Sequence, residues 1–202
     1  MVDCKYIQDD CVRYSDNCKE QYDSIVTDPP YGIEYLGNSW DTYQNCVAFK
    51  SQTWESIAKT LKPGGHLLIF GASKTFHRLT CAVEDSGLRI KDVLMWLYGQ
   101  GMPKSQNIGK KDPNWEGWGT GLKPCYEPIL LAQKPISEKT IVKNFQKHGV
   151  GGINIEESRL ESGRWAGNVL HDGSDEVEQE FAKFGDRGNG WNRYYGVEDY
   201  QG

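Results

Sequence analysis

Asp28-Pro29-Pro30-Tyr31 is the string in this sequence best suited to chemistry. It follows Tyr22-Asp23-Ser24-Ile25-Val26-Thr27, which reads as a short buried strand ending at the prolines, since neither can donate to a strand ladder. Open α/β sheets hold their ligands at the carboxyl ends of such strands. An acid and a backbone carbonyl placed there, stiffened by two prolines, make an oriented pair of hydrogen-bond acceptors with the Tyr31 ring alongside. The competing reading is a Pro-Pro turn with a solvated acid. Asp9-Asp10-Cys11 offers a second acidic turn upstream, either functional or a plain surface turn. Lys104, Lys110 and Lys111 lie together in a later segment and suit either phosphate contacts or a solvated loop. Cysteines at 4, 11, 18, 46, 81 and 125 form no CxxC pair and no Cys/His cluster at finger spacing, so they read as reduced thiols and no metal is implied.

Helices and strands must position these groups. Trp54, Ile57, Ala58 and Leu61 follow helical spacing, with Ser51 or Thr53 as caps and Lys62-Pro63-Gly64-Gly65 as the stop. His66 to Phe70 is then an apolar strand. Phe76, Leu79 and Val83 mark a second helix closed by Gly87, and residues 89–97 a third strand. Residues 98–123 show little periodicity and hold six glycines and two tryptophans, which marks a functional or mobile loop. Residues 126–133 read as a fourth strand, interrupted early by Pro128. Ser137 caps a short helix carrying Ile141, Val142 and Phe145. Beyond Gly149-Val150-Gly151-Gly152 the pattern weakens into a polar, acidic, then Gly/Trp/Tyr-rich tail. Strands alternating with helices predict an α/β sheet covered on both faces. Residues 1–150 would form the core, with 151–202 a loop-rich extension of the same domain.

The Asp28 string, with its preceding strand, resembles that of the amino-group DNA methyltransferases. This class transfers methyl from S-adenosylmethionine to adenine N6 or cytosine N4 and carries Asp/Asn/Ser-Pro-Pro-Tyr/Phe at this point. The resemblance implies a Rossmann-like methyltransferase core, shortened here, with a long loop and an acidic irregular tail. It implies that Asp28 and the Pro29 carbonyl accept the two hydrogens of the target amine, that Pro30 helps hold the pair rigid, and that Tyr31 stacks on the flipped base. Asp10-Cys11 resembles the Gly-Asp-Cys element whose acid contacts the cofactor adenine, with Asp9 in place of the glycine. Leu61-Lys62-Pro63-Gly64-Gly65, Trp115 to Trp118, Leu122-Lys123-Pro124, Glu127-Pro128-Ile129 and Lys134-Pro135 resemble further strings of the class as found in phage and bacterial restriction-modification enzymes.

One element of the class has no counterpart. The Asp-Pro-Phe-x-Gly-Ser-Gly-Thr-like loop that embraces the cofactor's methionine part does not occur. Gly185 to Trp191 has glycines but no strand before them and no helix after. The resemblance therefore implies the target-base half of a methyltransferase, with a partner chain or a longer product carrying the glycine loop. An acid at position 28 favours adenine N6. A split or decayed enzyme that binds DNA or a partner without activity of its own is the first alternative. An N4-cytosine, RNA or protein-glutamine methyltransferase is the second.

The whole chain of 202 residues has a net charge of −5, unevenly distributed. Residues 1–45 and 151–202 each carry −6, whereas residues 46–99 carry +3 and residues 100–150 carry +4. A basic middle can meet a polyanion such as DNA despite an acidic total. No apolar run is long enough to span a membrane, and the N-terminus lacks a basic stretch followed by an apolar one, so a cytoplasmic protein is expected.

Overall fold

The computed structural model describes residues 4–98, 101, 105–160 and 163–183. Lys104 and the run from Gly185 to Trp191 lie outside the described residues. Strand β1 (Tyr22–Thr27) runs parallel to β2 (Leu61–Phe70), with Ser24 to Thr27 opposite His66 to Ile69. Parallel neighbours need a crossover, and α2 (Ser51–Lys59) lies within it. β2 then pairs antiparallel with β4 (Tyr126–Gln133), Leu67 facing Ala132 and Ile69 facing Leu130. Helix α3 (Phe76–Asp85) leads to β3 (Arg89–Leu97), and a short β5 (Val169–His171) completes a mixed sheet ordered β1-β2-β4-β3-β5. Trp54, Leu61, Leu67, Ile69, Val83 and Leu130 form the buried centre. The Trp54 indole N–H donates to the Ala48 carbonyl at 2.9 Å, which settles its one polar atom.

The strands at 22–27, 89–97 and 126–133 fall where the sequence places them, and so does His66 to Phe70, but β2 begins earlier, at Leu61. Lys62-Pro63-Gly64-Gly65 lies inside β2 instead of ending a helix. The register slips there, with Tyr22 opposite Leu61 and Ser24 opposite His66, so the extra residues bulge out of the ladder. Gly64 N–H donates to the Lys134 carbonyl at 3.1 Å and Lys134 N–H to the Gly65 carbonyl at 3.0 Å, closing the bulge against the end of β4. Gly64 has φ +86°, and a Cβ there would sit 2.5 Å from the Asn144 amide nitrogen. Only glycine fits.

Asn144 also explains the helix α4 (Ile141–His148). It is completely buried, accepts from Ser137 N–H at 3.1 Å, and donates to the Pro63 and Val150 carbonyls at 2.8 and 2.9 Å. The helix thus docks through a polar residue, and Ile141, Val142 and Phe145 are exposed. Its cap is Thr140, whose hydroxyl accepts from Lys143 N–H at 3.2 Å. Ser137, the expected cap, lies too far upstream and meets His148 through its hydroxyl instead.

The sheet is less covered than its apolar runs predict. Val26 of β1 and Val93 and Met95 of β3 are exposed. β1 stands at one end of the sheet, and among the described residues only β2 pairs with it. The described residues divide into two compact units, those within 1–96 and 126–170 and those within 97–125 and 171–202. In the second, Asn107 bridges Gly119, and Trp115 meets Trp118 edge to face with ring centres 5.6 Å apart. That unit also contains the helix α5 (Asp175–Ala182), in a stretch whose sequence reads as irregular tail.

Candidate target-base site

The chain leaves β1 at Thr27 directly into Asp28-Pro29-Pro30-Tyr31. Two buried donors pin the later part of this turn. The Cys46 thiol donates to the Pro30 carbonyl at 3.2 Å, and the Thr75 hydroxyl to the Tyr31 carbonyl at 2.6 Å. Burial pushes the Cys46 thiol's pKa up, which keeps it protonated and able to donate. The first part of the turn is open. Among the described residues no donor takes the exposed Asp28 carboxylate or the Pro29 carbonyl.

A third tie comes from Asp41, which is 2% exposed. Its carboxylate accepts from Gly32 N–H at 2.7 Å, Tyr35 N–H at 2.9 Å and Ile33 N–H at 3.3 Å. One buried acid therefore organises the whole segment after Tyr31. Gly32 has φ +65°, and a Cβ there would lie 2.3 Å from the Phe49 ring. Glu34 and Leu36 adopt φ +60° and +52° without being glycine, strain that recurs at functional loops.

These pieces surround a cleft of about 260 Å³ lined by Asp28 to Tyr31, Ile33, Tyr35, Trp40, Asp41 and Glu127. It falls below the roughly 300–1,000 Å³ of enclosed ligand pockets, so it suits a small group. Glu127 stands at the start of β4, brought there by strand pairing and by the Gly71 N–H bond to the Pro128 carbonyl at 3.0 Å. Two adjacent free acceptors in a cleft with an aromatic lining can hold an N–H₂ group in one orientation.

The structure therefore brings Asp28, Pro29, Pro30 and Tyr31 together in one cleft and leaves Asp10 out of it. Asp10 caps α1 (Cys11–Asn17), one oxygen accepting from Val12 and Arg13 N–H at 3.0 and 2.9 Å. Asp9, where the class has glycine, pairs instead with Arg13, which holds its carboxyl below the usual carboxylate range. A capping acid with one oxygen left over is a single contact and does not by itself fit a cofactor cradle. Lys110 and Lys111 are exposed in the second unit. Among the described residues no cluster of three His, Cys, Asp or Glu could hold a metal ion, and no helix is long and apolar enough to cross a membrane.

Tyr35, Trp40, Asp41, Thr75 and Glu127 belong to the site without a sequence motif that marks them. The available signal was the aperiodic, aromatic-bearing stretch between Tyr31 and Ser51, directly after a strand's ligand end.

A Thermus thermophilus protein described as a DNA modification methylase, solved in complex with S-adenosylmethionine, superposes with a TM-score of 0.50 at 19% identity, covering 81% of this chain and 66% of that one. Another crystal structure of that protein gives 0.51 at 18% identity, covering 81% and 65%. The shared fold is the Rossmann-like methyltransferase core, in shortened form. In sequence, the type II methyltransferase M.HindIII of Haemophilus influenzae is 27% identical over 205 aligned positions, 76% of this chain. The chain spans 65% of that relative's length. A 91-residue stretch is 31% identical to the ribosomal RNA large subunit methyltransferase K/L of Shewanella loihica, covering 44% of this chain and 12% of that one. Residues 22–186 match the family model for N6/N4 DNA methylases, from the first residue of β1 to beyond α5. The chain belongs to the N6/N4 DNA methylase family.

Proposed function

We propose that this chain supplies the target-base half of a cytoplasmic, site-specific DNA adenine N6 methyltransferase that uses S-adenosylmethionine. The observation that carries this reading is the pair of open acceptors, the Asp28 carboxylate and the Pro29 carbonyl, on a turn whose Pro30 and Tyr31 carbonyls are pinned by Cys46 and Thr75. An exocyclic base amine is a poor nucleophile because its lone pair is delocalised into the ring. Asp28 and Pro29 each accept one N–H, which draws the nitrogen toward tetrahedral geometry and turns its lone pair toward the methyl donor. The pinned turn fixes the backbone that carries both acceptors, which lowers the entropy of finding that geometry. Transfer would form the N–C bond as the donor's S–C bond breaks and S-adenosylhomocysteine leaves, and the proton lost by the amine would pass to the free Asp28 carboxylate. Tyr31 stacks on the flipped base, since a base inside a duplex cannot reach the cleft. Lys104, Lys110 and Lys111 are the proposed phosphate contacts, and Asp10 one contact of the cofactor.

A second reading concerns completeness. No glycine loop occurs in the sequence, and the chain spans 65% of M.HindIII. The methionine end of the cofactor is therefore proposed to be held by a segment from outside these 202 residues, on a partner chain or a longer product. Two variants test the acceptor and the stacker once that segment is supplied. Asp28→Ala removes methyl transfer with the fold intact, and retained transfer would overturn the assignment. Tyr31→Ala weakens transfer to paired DNA more than to a mismatched target, and equal losses on both would overturn the flipped-base role.

A further inference from the structure

We infer that the Asp41-anchored loop carries a second stacking surface for the target base, built from Tyr35 and Trp40. The inference rests on the base-pocket reading above and names the residues that would complete it. Both rings line the cleft that holds Asp28 and Tyr31. Both are more than half exposed, Tyr35 at 57% and Trp40 at 54%, in a protein whose Trp54 is 1% exposed. Large aromatic faces left open beside two free acceptors fit a planar, apolar-faced ligand bearing an amine, which describes a purine extruded from its stack.

The loop is held in place rather than merely exposed. The Asp41 carboxylate takes the N–H groups of Gly32, Ile33 and Tyr35, and the Asp41 carbonyl takes Glu34 N–H at 2.8 Å. Four consecutive residues after Tyr31 are thus tied to one side chain and its own backbone. Glu34 and Leu36 sit at positive φ within the same segment, a conformation unfavourable for residues with a Cβ unless the surroundings enforce it. Asp41 is the residue that enforces it. Trp40 precedes Asp41 and Tyr35 donates to it, so the placement of both rings follows from one buried acid. Asp41 is a positioning residue, and Tyr35 and Trp40 are the contacts.

The test uses a single-stranded oligothymidylate with one central 2-aminopurine, whose fluorescence is quenched by stacking on aromatic rings. It needs neither a known recognition sequence nor methyl transfer. The wild-type chain quenches the probe. Trp40→Ala cuts the quench and weakens probe binding about tenfold, the expected loss of one base–aromatic stack. Tyr35→Phe retains the quench. Leu36→Ala, in the same loop but outside the cleft lining, leaves it unchanged. Asp41→Asn, isosteric and checked for folding by circular dichroism, loses the quench as Trp40→Ala does, while keeping the salt dependence of binding to plain oligothymidylate. A purely structural collapse would change both. If Tyr31→Ala loses the quench and Trp40→Ala does not, the inference about the loop is wrong and the base pocket stands. If neither variant loses it, or the wild type never quenches, the base-pocket reading falls together with the inference.

Discussion

Asp28 and Asp41 line one cleft and should respond oppositely to the same substitution. Asp28 is exposed, and no donor among the described residues meets its carboxylate. Asp28→Ala should therefore shift stability by no more than about 0.5 kcal/mol, as for other unpartnered surface groups. Asp41 is 2% exposed and its carboxylate accepts three backbone N–H bonds at 2.7, 2.9 and 3.3 Å. Removing it leaves those donors without an acceptor. Hydrogen bonds to a charged group contribute about 1.5–3 kcal/mol each, and the longest of the three is worth less. Relief of strain at Glu34 and Leu36 returns about 1–2 kcal/mol. At about 2 kcal/mol for each of the two shorter bonds and about 1 for the longest, less that relief, the net loss for Asp41→Ala is about 3–4 kcal/mol. At about 2–4 °C per kcal/mol for a chain of this size, Tm falls by about 6–16 °C, against about 2 °C or less for Asp28→Ala. Thermal unfolding followed by circular dichroism reads both. A loss of several kcal/mol for Asp28→Ala would show that its carboxylate is a structural partner and not an open acceptor. A neutral Asp41→Ala would show that the loop after Tyr31 does not depend on that acid.

Burial, and then the Lys91 charge, lower the pKa of His66, and Gln133 Nε2 lies 3.2 Å from His66 Nε2, a contact that suits an unprotonated ring nitrogen. The unfolded chain thus binds a proton more readily. Stability is full above about pH 6.5 and declines as pH falls through that value toward the lowered folded pKa. His66→Gln should flatten this slope in urea titrations between about pH 7.5 and 5.5, and an unchanged slope would show that His66 does not cause it. Replacing Lys104, Lys110 and Lys111 together with Ala should reduce the slope of log affinity for DNA against log salt by about two to three units. An unchanged slope would place the phosphate contacts elsewhere. The 202-residue chain by itself should bind S-adenosylmethionine no tighter than about millimolar, since loss of a few kcal/mol of contacts takes a micromolar site to that range. Micromolar binding by calorimetry would mean that these residues build the missing wall themselves.

Much of the scaffold was legible because it obeys local rules. Residues 89–97 and 126–133 are bounded runs of strand-forming residues, and Phe76, Leu79 and Val83 repeat at helical spacing and end at Gly87, whose φ is +87°. The Pro-Pro string marked the ligand end of β1 because prolines cannot continue a ladder. Lys62-Pro63-Gly64-Gly65 misled for the same reason. Its prolyl and glycyl residues signal a break, yet bonds from Lys134 and Asn144, more than 60 residues away, hold them in the sheet as a bulge. In α4 the apolar Ile141, Val142 and Phe145 are exposed and docking falls to Asn144, whose partners are set by tertiary contacts. The half of the site contributed by Asp41, Thr75 and Glu127 was illegible since each acts through tertiary proximity. An acid in a loop carries no local sign that three amides will turn toward it.

Whether Asp28 and Pro29 hold the amine of adenine for methylation is decided most directly by the identity of the product. Residues 1–202 are fused to the part of M.HindIII that lies outside its alignment with this chain, and the fusion is expressed in a bacterial host without DNA methylation of its own. The nucleosides of that host's DNA are then measured by mass spectrometry. N6-methyladenine with the wild-type sequence, and none with Asp28→Ala, is the result predicted. N4-methylcytosine in its place, equal N6-methyladenine from both, or no methylated nucleoside from either would contradict it.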